Sequence, residues 1–380
     1  MDLENLIDST GAPEWIMLAL YFAAFLVQCY YYLGIYFKLI LYKAPARRKS
    51  SRGVSVVICA RNEAQNLQRF LPLVLEQEYP EFEVIVVNDG STDRTEELLS
   101  EMSGSYEHLR FTTIPATEKF SHGKKLALTV GIKSARHRII LLTDADCYPA
   151  GKLWLERMVS RFGKDKEIVL GYGRYERGKG ILNLLIRYET VFTAIQYLSH
   201  ALNGNPYMGV GRNLAYRKTL FFKSKGFSGH YHLSSGDDDL FVNEHATGIN
   251  TSIEIDPESH TISIPRTSFG SWVRQKQRHL SAGNLYNRGS RIRLGTEIVS
   301  RLVFYAGFIT LCFEPGWVWP SVALFVIFQL IRMTIFKLGM SRLNEQYLLL
   351  PSLLFDPVLP LILGVTWFSN VFVTKYQPWS

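Results

Sequence analysis

The sequence has few cysteines and lacks the short motifs of several common protein classes. Its four cysteines show neither a Cys-x-x-Cys spacing nor a paired pattern, which argues against a disulfide framework or a structural zinc site. No glycine-rich dinucleotide fingerprint follows the first predicted strand, and the Walker pattern is absent, so NAD-dependent dehydrogenases and P-loop NTPases are disfavoured. A nucleic-acid partner is not expected, because the net charge of +8 comes with neither a zinc motif nor a helix-turn-helix pattern.

A long apolar stretch near the N-terminus predicts a helix that spans a membrane. Residues 15–41 carry almost no charge, and about 20 apolar residues are enough to cross the hydrocarbon core. Acidic residues precede the stretch and basic residues follow it, which argues against a cleavable signal peptide. The positive-inside bias then predicts that residues 1–43 form a membrane segment with its N-terminus outside, and that the following chain is cytoplasmic.

The C-terminal region, residues 297–373, predicts about three further spans. Apolar runs cover 299–313, 317–336 and 347–373, and the polar break at 337–346 is predicted to lie inside. Prolines interrupt the last run, so a kinked or partly re-entrant helix is an alternative to a straight span. Within that run, Asp356 is interpreted either as a functional intramembrane carboxylate or as a residue at a helix end.

Between these apolar regions, residues 53–270 predict an α/β domain. Short β-rich runs at 54–59, 84–87, 110–114 and 139–142 alternate with helical stretches, which favours a mostly parallel sheet. In such open sheets, ligands bind beyond the carboxyl ends of the strands. The residues that follow each strand are therefore the first candidates for a binding site.

Polar side chains follow three of the predicted strands. Residues 60–63 and 88–93 are polar, although a tight turn with a helix cap is the favoured interpretation of the second segment taken by itself. Asp144 and Asp146 lie at the end of the strand at 139–142, where two like charges so close together are costly unless a cation neutralises them. A hard cation with oxygen ligands, Mg²⁺ or Mn²⁺, that bridges substrate phosphates fits this pair.

Six segments, in this order along the chain, resemble the motifs of glycosyltransferase family 2. Four of them are residues 54–63, 86–93, 122–128 and 142–146. Residues 235–240 are similar to the family's acidic motif, and residues 275–279 to its Gln-x-x-Arg-Trp motif. The flanking spans resemble the membrane-bound synthase branch, which includes cellulose, hyaluronan and poly-N-acetylglucosamine synthases and ceramide glucosyltransferases. The resemblance implies an α/β GT-A domain, Rossmann-like and cytoplasmic, flanked by transmembrane α-helices.

The resemblance implies a donor site that contacts a nucleoside, a diphosphate and a metal. Asp144 and Asp146 become its Asp-x-Asp pair, with Asp146 favoured as the direct metal ligand. The remaining implied donor residues are Ala60, Glu63 and Asp89 around the nucleoside, and Lys124, Gln275 and Arg278 near the diphosphate.

The resemblance also implies a general base and an acceptor side. Asp237 takes the base position when Leu240 is aligned with the family leucine, and Asp238 is the nearest alternative because Gly236 replaces the usual glutamate. His279 stands where the family usually has tryptophan, which weakens any prediction of processive synthesis. The implied acceptor side comprises Gly209, Gly211 and His279.

Two helical segments near the predicted site have more than one interpretation. Residues 271–296 predict an amphipathic helix at the membrane surface, where Arg278 acts as a surface cation, as a diphosphate contact or as both. His279 either faces the acceptor or lies as an interfacial ring. Residues 181–202 either pack on the sheet or rest on the membrane, and a core helix is favoured.

Together these features predict an inverting, metal-dependent glycosyltransferase of polysaccharide or glycolipid biosynthesis. Its donor is a nucleotide-sugar, with uridine preferred by family implication, and its acceptor is a lipid or a membrane-associated glycan. The protein is expected to be multi-pass in the inner or plasma membrane, with a cytoplasmic catalytic domain. An oligomer or a secretion partner stays open.

Two alternatives compete with this prediction. A polyprenyl-phosphate sugar synthase is disfavoured by the Gln-x-x-Arg segment and by the division of the spans between the two ends of the chain. A catalytically silent, nucleotide-binding membrane scaffold is disfavoured because the acidic positions assigned to the donor site and to the base are present.

Overall fold

The computed structural model describes residues 11–46, 51–115, 123–231, 233 and 235–372. Some parts of the predicted segments lie outside the described residues, namely residues 1–10, the cations at 47–49, His122 and residue 373. The described helices are α1 (Ala12–Leu41), α2 (Ala64–Leu75), α3 (Thr95–Ser105), α4 (Lys124–Ser134), α5 (Trp154–Ser160), α6 (Ile181–Leu202), α7 (Lys218–Lys223), α8 (Asp239–His245), α9 (Phe269–Gly283), α10 (Arg288–Leu311), α11 (Val318–Arg342) and α12 (Leu349–Phe372). The described strands are β1 (Val54–Ala60), β2 (Phe82–Asp89), β3 (Leu109–Ile114), β4 (Ile139–Asp144), β5 (Cys147–Pro149), β6 (Ile168–Leu170), β7 (Gly173–Tyr175), β8 (Leu214–Arg217), β9 (Thr251–Ile253) and β10 (Thr261–Ser263).

The main sheet has seven strands in the order β3-β2-β1-β4-β8-β6-β9. It is parallel from β3 to β4, and β8 then runs antiparallel to both of its neighbours. A second sheet of three strands has the order β5-β10-β7. The predicted α/β fold with alternating strands and helices is confirmed, and the antiparallel β8 makes the sheet mixed.

Strand β1 shows why the main sheet is covered on both faces. All seven of its residues are buried, and successive side chains of a strand point to opposite faces. Val57 and Cys59 join a hydrophobic cluster with α4 and α6, whereas Val56 and Ile58 join a second cluster with α2 and α5. A continuous apolar run of this kind is typical of a parallel strand that lies between two layers of helices.

Helix α6 joins the sheet domain to the apolar helices. Most of its side chains are buried, and it contacts β7 and β9 on one side and α1, α11 and α12 on the other. One hydrophobic cluster therefore extends from Val57 of β1 through Tyr188 and Ile195 of α6 to Phe328 of α11. The favoured interpretation of residues 181–202 as a core helix agrees with this burial.

Four described helices are long and apolar enough to cross a membrane: α1, α10, α11 and α12. The structure divides the predicted interface segment 271–296 between α9 and α10. The division occurs because Asn287 caps a new helix, with its side chain accepting the backbone N–H of Ser290. Helix α10 then continues without interruption from its basic first turns into the apolar stretch.

The last two apolar helices also differ in their bounds from the predicted spans. Helix α11 continues to Arg342, well into the predicted polar break, and within this stretch Gly339 packs closely against Ile195 of α6. Helix α12 continues through Pro357 and Pro360 as one helix, so the re-entrant alternative is not observed. Its 24 residues match the length of a span.

Asp356 lies in the interior of α12, so its interpretation as a residue at a helix end is wrong. Its carboxylate is fully buried and accepts hydrogen bonds from the hydroxyl groups of Tyr188 at 3.0 Å and Tyr305 at 2.6 Å. The guanidinium groups of Arg301 and Arg332 lie 3.4 and 3.9 Å from it. These partners belong to α6, α10 and α11, so the contacts of Asp356 tie four helices together.

Candidate active site

A cavity of about 720 Å³ opens at the carboxyl ends of β1 and β4. It continues between α6, α9 and the apolar helices α10 and α12. In the described part of the chain, its lining includes every predicted site residue except Ala60 and Asp89, which lie at the ends of β1 and β2. The residues in question are Glu63, Lys124, Asp144, Asp146, Gly209, Gly211, Asp237, Asp238, Gln275, Arg278 and His279.

Two loops at the strand ends brace one another. The backbone N–H of Thr92 donates to the side chain of Asn62 at 2.8 Å. Asp93 accepts the backbone N–H groups of Ala64 at 3.1 Å and of Thr95 at 3.0 Å, which fixes the starts of α2 and α3. The turn-and-cap interpretation of residues 88–93 describes these contacts. Beside them, Glu63 lines the cavity, and burial raises the pKa of its carboxyl.

Asp144 and Asp146 place two carboxylates in the cavity at the end of β4. Their oxygens and the sulfur of Cys147 all lie within 4.8 Å of one another. Burial, followed by the charge of Asp144, raises the pKa of Asp146. Burial, followed by the charge of Asp146, raises the pKa of Cys147 well above its ordinary value, so that group stays a neutral thiol. The donor set available to a cation is therefore the two carboxylates.

Lys124 lies between the Asp144–Asp146 pair and the acidic run that precedes α8. Its ammonium is 2.8 Å from Asp144 and 3.2 Å from Asp237. Burial alone would raise the pKa of Asp144, but the charge and hydrogen bond of Lys124, together with the charges of Arg212 and Arg278, outweigh burial and hold that pKa below its ordinary value. A lysine at a helix start is usually solvated. Here the burial of Lys124 is tolerated because its charge is paired with those of two carboxylates.

The three aspartates at residues 237–239 differ in what their oxygens contact. Asp238 accepts the backbone N–H of Gly211 at 2.6 Å and that of Asp239 at 2.7 Å. Asp239 accepts the backbone N–H of Leu240 at 2.8 Å and the hydroxyl of Tyr286 at 2.8 Å. Asp237 is also buried, yet within the described residues its Oδ2 accepts no hydrogen bond and lies only against the Lys124 ammonium.

The charges of this run also differ from those of isolated carboxylates. Burial, followed by the charge of Asp237, raises the pKa of Asp238 to about 6. Burial, followed by the charge of Asp238, raises the pKa of Asp239 to about 7, although the Tyr286 hydroxyl opposes that rise. Interacting carboxylates lose their protons in steps that belong to the group as a whole. Asp238 and Asp239 therefore titrate near neutral pH as an interacting pair.

The two glycines predicted on the acceptor side have different environments. A Cβ on Gly211 would lie 3.2 Å from Asp238 Oδ2 and 3.4 Å from the Lys124 ammonium, so this glycine borders the charged cluster. A Cβ on Gly209 would instead lie 3.1 Å from the side chains of Leu170 and Leu214. Gly209 thus also serves close packing against the core, a role that the sequence did not indicate.

Arg212 is a cavity residue to which the sequence analysis gave no role. Its guanidinium donates to the carbonyl of Gly173 at 2.7 Å and lies 4.6 Å from the ring centroid of Tyr175. Its positive charge lowers the pKa values of Asp144 and Asp146, against the effect of burial. Arg212 lies in the segment 205–213, which contains Gly209 and Gly211. The one signal in the sequence was a basic residue directly after Gly211.

Helix α9 brings the predicted Gln-x-x-Arg segment to the cavity. The amide of Gln275 donates to the Tyr175 hydroxyl at 3.4 Å. Lys276 forms an ion pair of 2.6 Å with Glu189 of α6, which fixes α9 against the core. Arg278 and His279 line the cavity, and burial together with the charges of Lys276 and Arg278 holds the pKa of His279 well below its ordinary value. His279 is therefore neutral near pH 7.

The family model described as "Glycosyl transferase family 2" matches residues 55–223. This segment belongs to glycosyl transferase family 2. The family 2 domain contains the strand-end loops, Lys124 and the Asp144–Asp146 pair, whereas the acidic run and α9 lie beyond the matched residues.

Curated relatives share part of this family 2 domain. Glycosyltransferase AglE of Haloferax volcanii is 38% identical over 109 residues, which are 28% of this chain and 34% of that protein. A poly-beta-1,6-N-acetyl-D-glucosamine synthase of Staphylococcus epidermidis is 34% identical over 109 residues, which are 29% of this chain and 25% of that protein. The matched region thus spans only 34% and 25% of the length of these two relatives.

A solved structure resembles nearly the whole chain. It is the mannosyltransferase PcManGT from Pyrobaculum calidifontis in complex with GDP-Man and Mn²⁺, with a TM-score of 0.64 and 19% identity. The likeness covers 95% of this chain and 99% of that one. It shows that the GT-A fold expected for the family 2 domain is present, together with the flanking helices.

Proposed function

We propose that this protein is a membrane-embedded, inverting glycosyltransferase that moves a sugar from a nucleotide-sugar to a lipid or a membrane-associated glycan. The observation that carries the proposal is the single cavity that contains both a carboxylate pair and a separate buried acidic run. The membership of residues 55–223 in a glycosyltransferase family supports it. The four apolar helices support membrane placement, and the basic residues at the start of α10 favour a cytoplasmic catalytic domain.

The residues at the end of β4 fit a divalent metal. Asp144 and Asp146 offer oxygen ligands on one side of the cavity, and the neutral Cys147 thiol leaves the hard-cation chemistry to them. Mg²⁺ or Mn²⁺ held there would offset the negative charge that a leaving nucleoside diphosphate develops. The Arg212 and Arg278 guanidinium groups and the Lys124 ammonium add positive charge around the same position.

Asp237 is the proposed general base. It accepts the proton of an acceptor hydroxyl while the hydroxyl oxygen forms a bond to the anomeric carbon of the donor sugar. The bond from that carbon to the diphosphate oxygen breaks at the same time, and the nucleoside diphosphate leaves on the opposite side. Asp237 suits this role better than its neighbours, because the oxygens of Asp238 and Asp239 are occupied by backbone N–H groups and by Tyr286.

The nucleotide is proposed to be uridine diphosphate, as the family resemblance implies. The structural neighbour PcManGT is in complex with GDP-Man, so a guanosine diphosphate donor is the competing candidate. On the side of the loops at 60–63 and 88–93, Glu63 and Asp89 are the proposed contacts of the nucleoside, with Ala60 beneath them at the end of β1.

Isothermal titration calorimetry on the detergent-purified protein tests the proposal. UDP, GDP and their common sugar conjugates are titrated with and without Mn²⁺. Binding of one nucleotide that depends on the metal and is weakened by Asp146→Ala supports the transferase site. The matched control is Asp165→Ala, which removes an exposed acid and should change nothing. No binding of any nucleotide would overturn the proposed transferase site.

A further inference from the structure

The catalytic cavity extends beyond the charged residues into the apolar helices. Its far walls are one face of α10, with Arg291, Leu294 and Ile298, and one face of α12, with Leu359 and Leu363. The α10 residues recur at helical spacing, so they form one continuous stripe along the helix. The acidic run at residues 237–239 thus opens onto a mostly apolar passage between two helices that could span a membrane.

A second space lies on the neighbouring face of α10. It is an open groove of about 520 Å³ between α1 and α10, with mostly apolar walls. The apolar residues that line it are Leu20, Ala23, Ala24, Val27, Ile292, Val299 and Val303. Because both helices are long and apolar enough to cross a membrane, the groove lies where hydrocarbon would surround it.

The groove is held in shape by hydrogen bonds between its two helices. The Gln28 amide of α1 donates to the Glu297 carbonyl at 2.9 Å and to the Ser300 hydroxyl at 2.8 Å on α10. The Tyr31 hydroxyl donates to the Arg293 carbonyl at 2.6 Å. These buried contacts fix α1 against α10, so the groove does not depend on a loop.

Two residues, Arg291 and Gly295, line both the cavity and the groove. A Cβ on Gly295 would have no atom within 4 Å, so the lack of a side chain leaves open space at the place where the two spaces approach each other. Arg291 is exposed one helical turn away. Among the described residues, no acidic group forms an ion pair with Arg291 or with its basic neighbours Arg288 and Arg293 on the same end of α10.

We infer that the acceptor is a lipid with a phosphate-type headgroup, whose hydrocarbon tail lies in the groove and whose headgroup contacts Arg291. The inference rests on the proposed function and names the acceptor class of the same site. An unpaired arginine beside an apolar groove matches an anionic amphiphile, because guanidinium binds phosphate oxygens through strong, paired hydrogen bonds. The hydroxyl to be glycosylated then passes Gly295 and reaches the cavity that contains Asp237.

The test measures lipid binding directly, so it does not depend on turnover. Native mass spectrometry of the detergent-purified protein compares phytanyl phosphate with phytanol, which has the same tail and no charge. We expect the phosphate to bind about tenfold more tightly, as one charge-assisted contact predicts. Arg291→Gln should remove this preference, and Arg291→Lys should retain part of it. Equal binding of the two lipids to the wild-type protein would overturn the inference.

Two further arms identify the source of the phosphate and the position of the tail. Inorganic phosphate should not displace phytanyl phosphate, because it has no tail for the groove, whereas phosphatidylglycerol, an anionic lipid with free hydroxyls, should compete; displacement by inorganic phosphate, or no competition by phosphatidylglycerol, would contradict the inference. Gly295→Leu should weaken binding of both phytanyl lipids, while Gly295→Ala should change it little. Equal affinity of the Gly295→Leu and Gly295→Ala variants for the lipids would exclude this part of α10 as the contact.

Donor binding separates this inference from the proposed function. Arg291→Gln and Gly295→Leu should bind the nucleotide donor with unchanged affinity, which also shows that the variants are folded. If the wild-type protein binds no nucleotide, the proposed function fails, and the acceptor assignment fails with it. If the donor binds normally but neither variant alters lipid binding, only the acceptor assignment fails.

Discussion

The two acidic clusters of the cavity differ in how their negative charge is balanced. At the end of β4, Lys124 holds the pKa of Asp144 below its ordinary value, so one carboxylate of the pair is kept charged. Before α8, burial raises the pKa values of Asp238 and Asp239 to about 6 and 7, so these two carboxyls exchange protons near neutral pH. The same fold thus provides one cluster suited to a cation and another suited to a proton.

The largest expected effect comes from removing the proposed base. Asp237→Asn should lower the turnover number by about 10²–10⁴-fold, the usual contribution of a general base, because an amide cannot take the hydroxyl proton. Donor affinity, measured by calorimetry, should stay near that of the wild type. Near-normal turnover of this variant, together with a large loss of turnover for Asp238→Asn, would assign the base to Asp238 instead.

A smaller effect is expected at the other cluster. Asp146→Ala should weaken donor binding in the presence of Mn²⁺ by about tenfold or more, because the metal loses one of its carboxylate ligands. Without metal, the wild-type protein and the variant should bind the donor equally weakly. Titration of nucleotide at several Mn²⁺ concentrations measures both quantities. A variant that binds the donor as tightly as the wild type would show that the pair does not hold the metal.

The pH dependence of transfer tests whether Asp238 and Asp239 titrate together. Transfer should be full at high pH, where both carboxyls are charged and attract the proton that the base removes, and fall as they take up protons while the pH drops through about 6 to 7, rather than near the ordinary value of about 4. Asp239→Asn should shift the midpoint to lower pH, since the group with the higher pKa is removed and Asp238, with a pKa of about 6, remains. The charged groups that also face the run are Lys124 and Lys125 of α4. An unchanged midpoint would show that Asp239 is uncoupled from the base.

The smallest expected effect comes from the tyrosine that contacts this run. Tyr286→Phe removes the hydroxyl that donates to Asp239 at 2.8 Å and stabilises its charged form. The midpoint of the pH–rate profile should therefore rise, by about one pH unit or less, the effect of a single hydrogen bond. This direction is opposite to that of Asp239→Asn. In the Asp239→Asn/Tyr286→Phe double variant, the tyrosine substitution should cause no additional shift of the midpoint. An additional shift would show that Tyr286 acts through a group other than Asp239.

The first four strands and the polar residues at their ends could largely be predicted from the sequence. Each of the first four strands coincides with a predicted β-rich run, polar residues follow three of them, and the observed strands differ from the predicted runs by a few residues at their ends. Local pattern is sufficient there, because burial on both faces requires a continuous apolar segment. The Asp144–Asp146 pair follows from the same pattern, since it directly continues β4.

The contacts between distant segments could not be predicted in the same way. Lys124 touches Asp144 and Asp237, which are separated from it by 20 and 113 residues in the printed sequence. Arg212 acts on Asp144 through space, and nothing in its neighbourhood in the chain indicates this. The start of α10 depends on one capping contact at Asn287, which hydrophobic periodicity does not detect. Such features depend on the folded arrangement rather than on local composition.

The shared core around α6 has a consequence for where the reaction can occur. Since α6 packs against both the sheet and the apolar helices, the catalytic domain cannot tilt away from them without exposing that core. With those helices in a membrane, the distance of Asp237 from the hydrocarbon boundary is set by the fold itself. An acceptor group would then have to extend from the lipid surface by a fixed length to react, and a shorter or longer headgroup would place its hydroxyl out of reach.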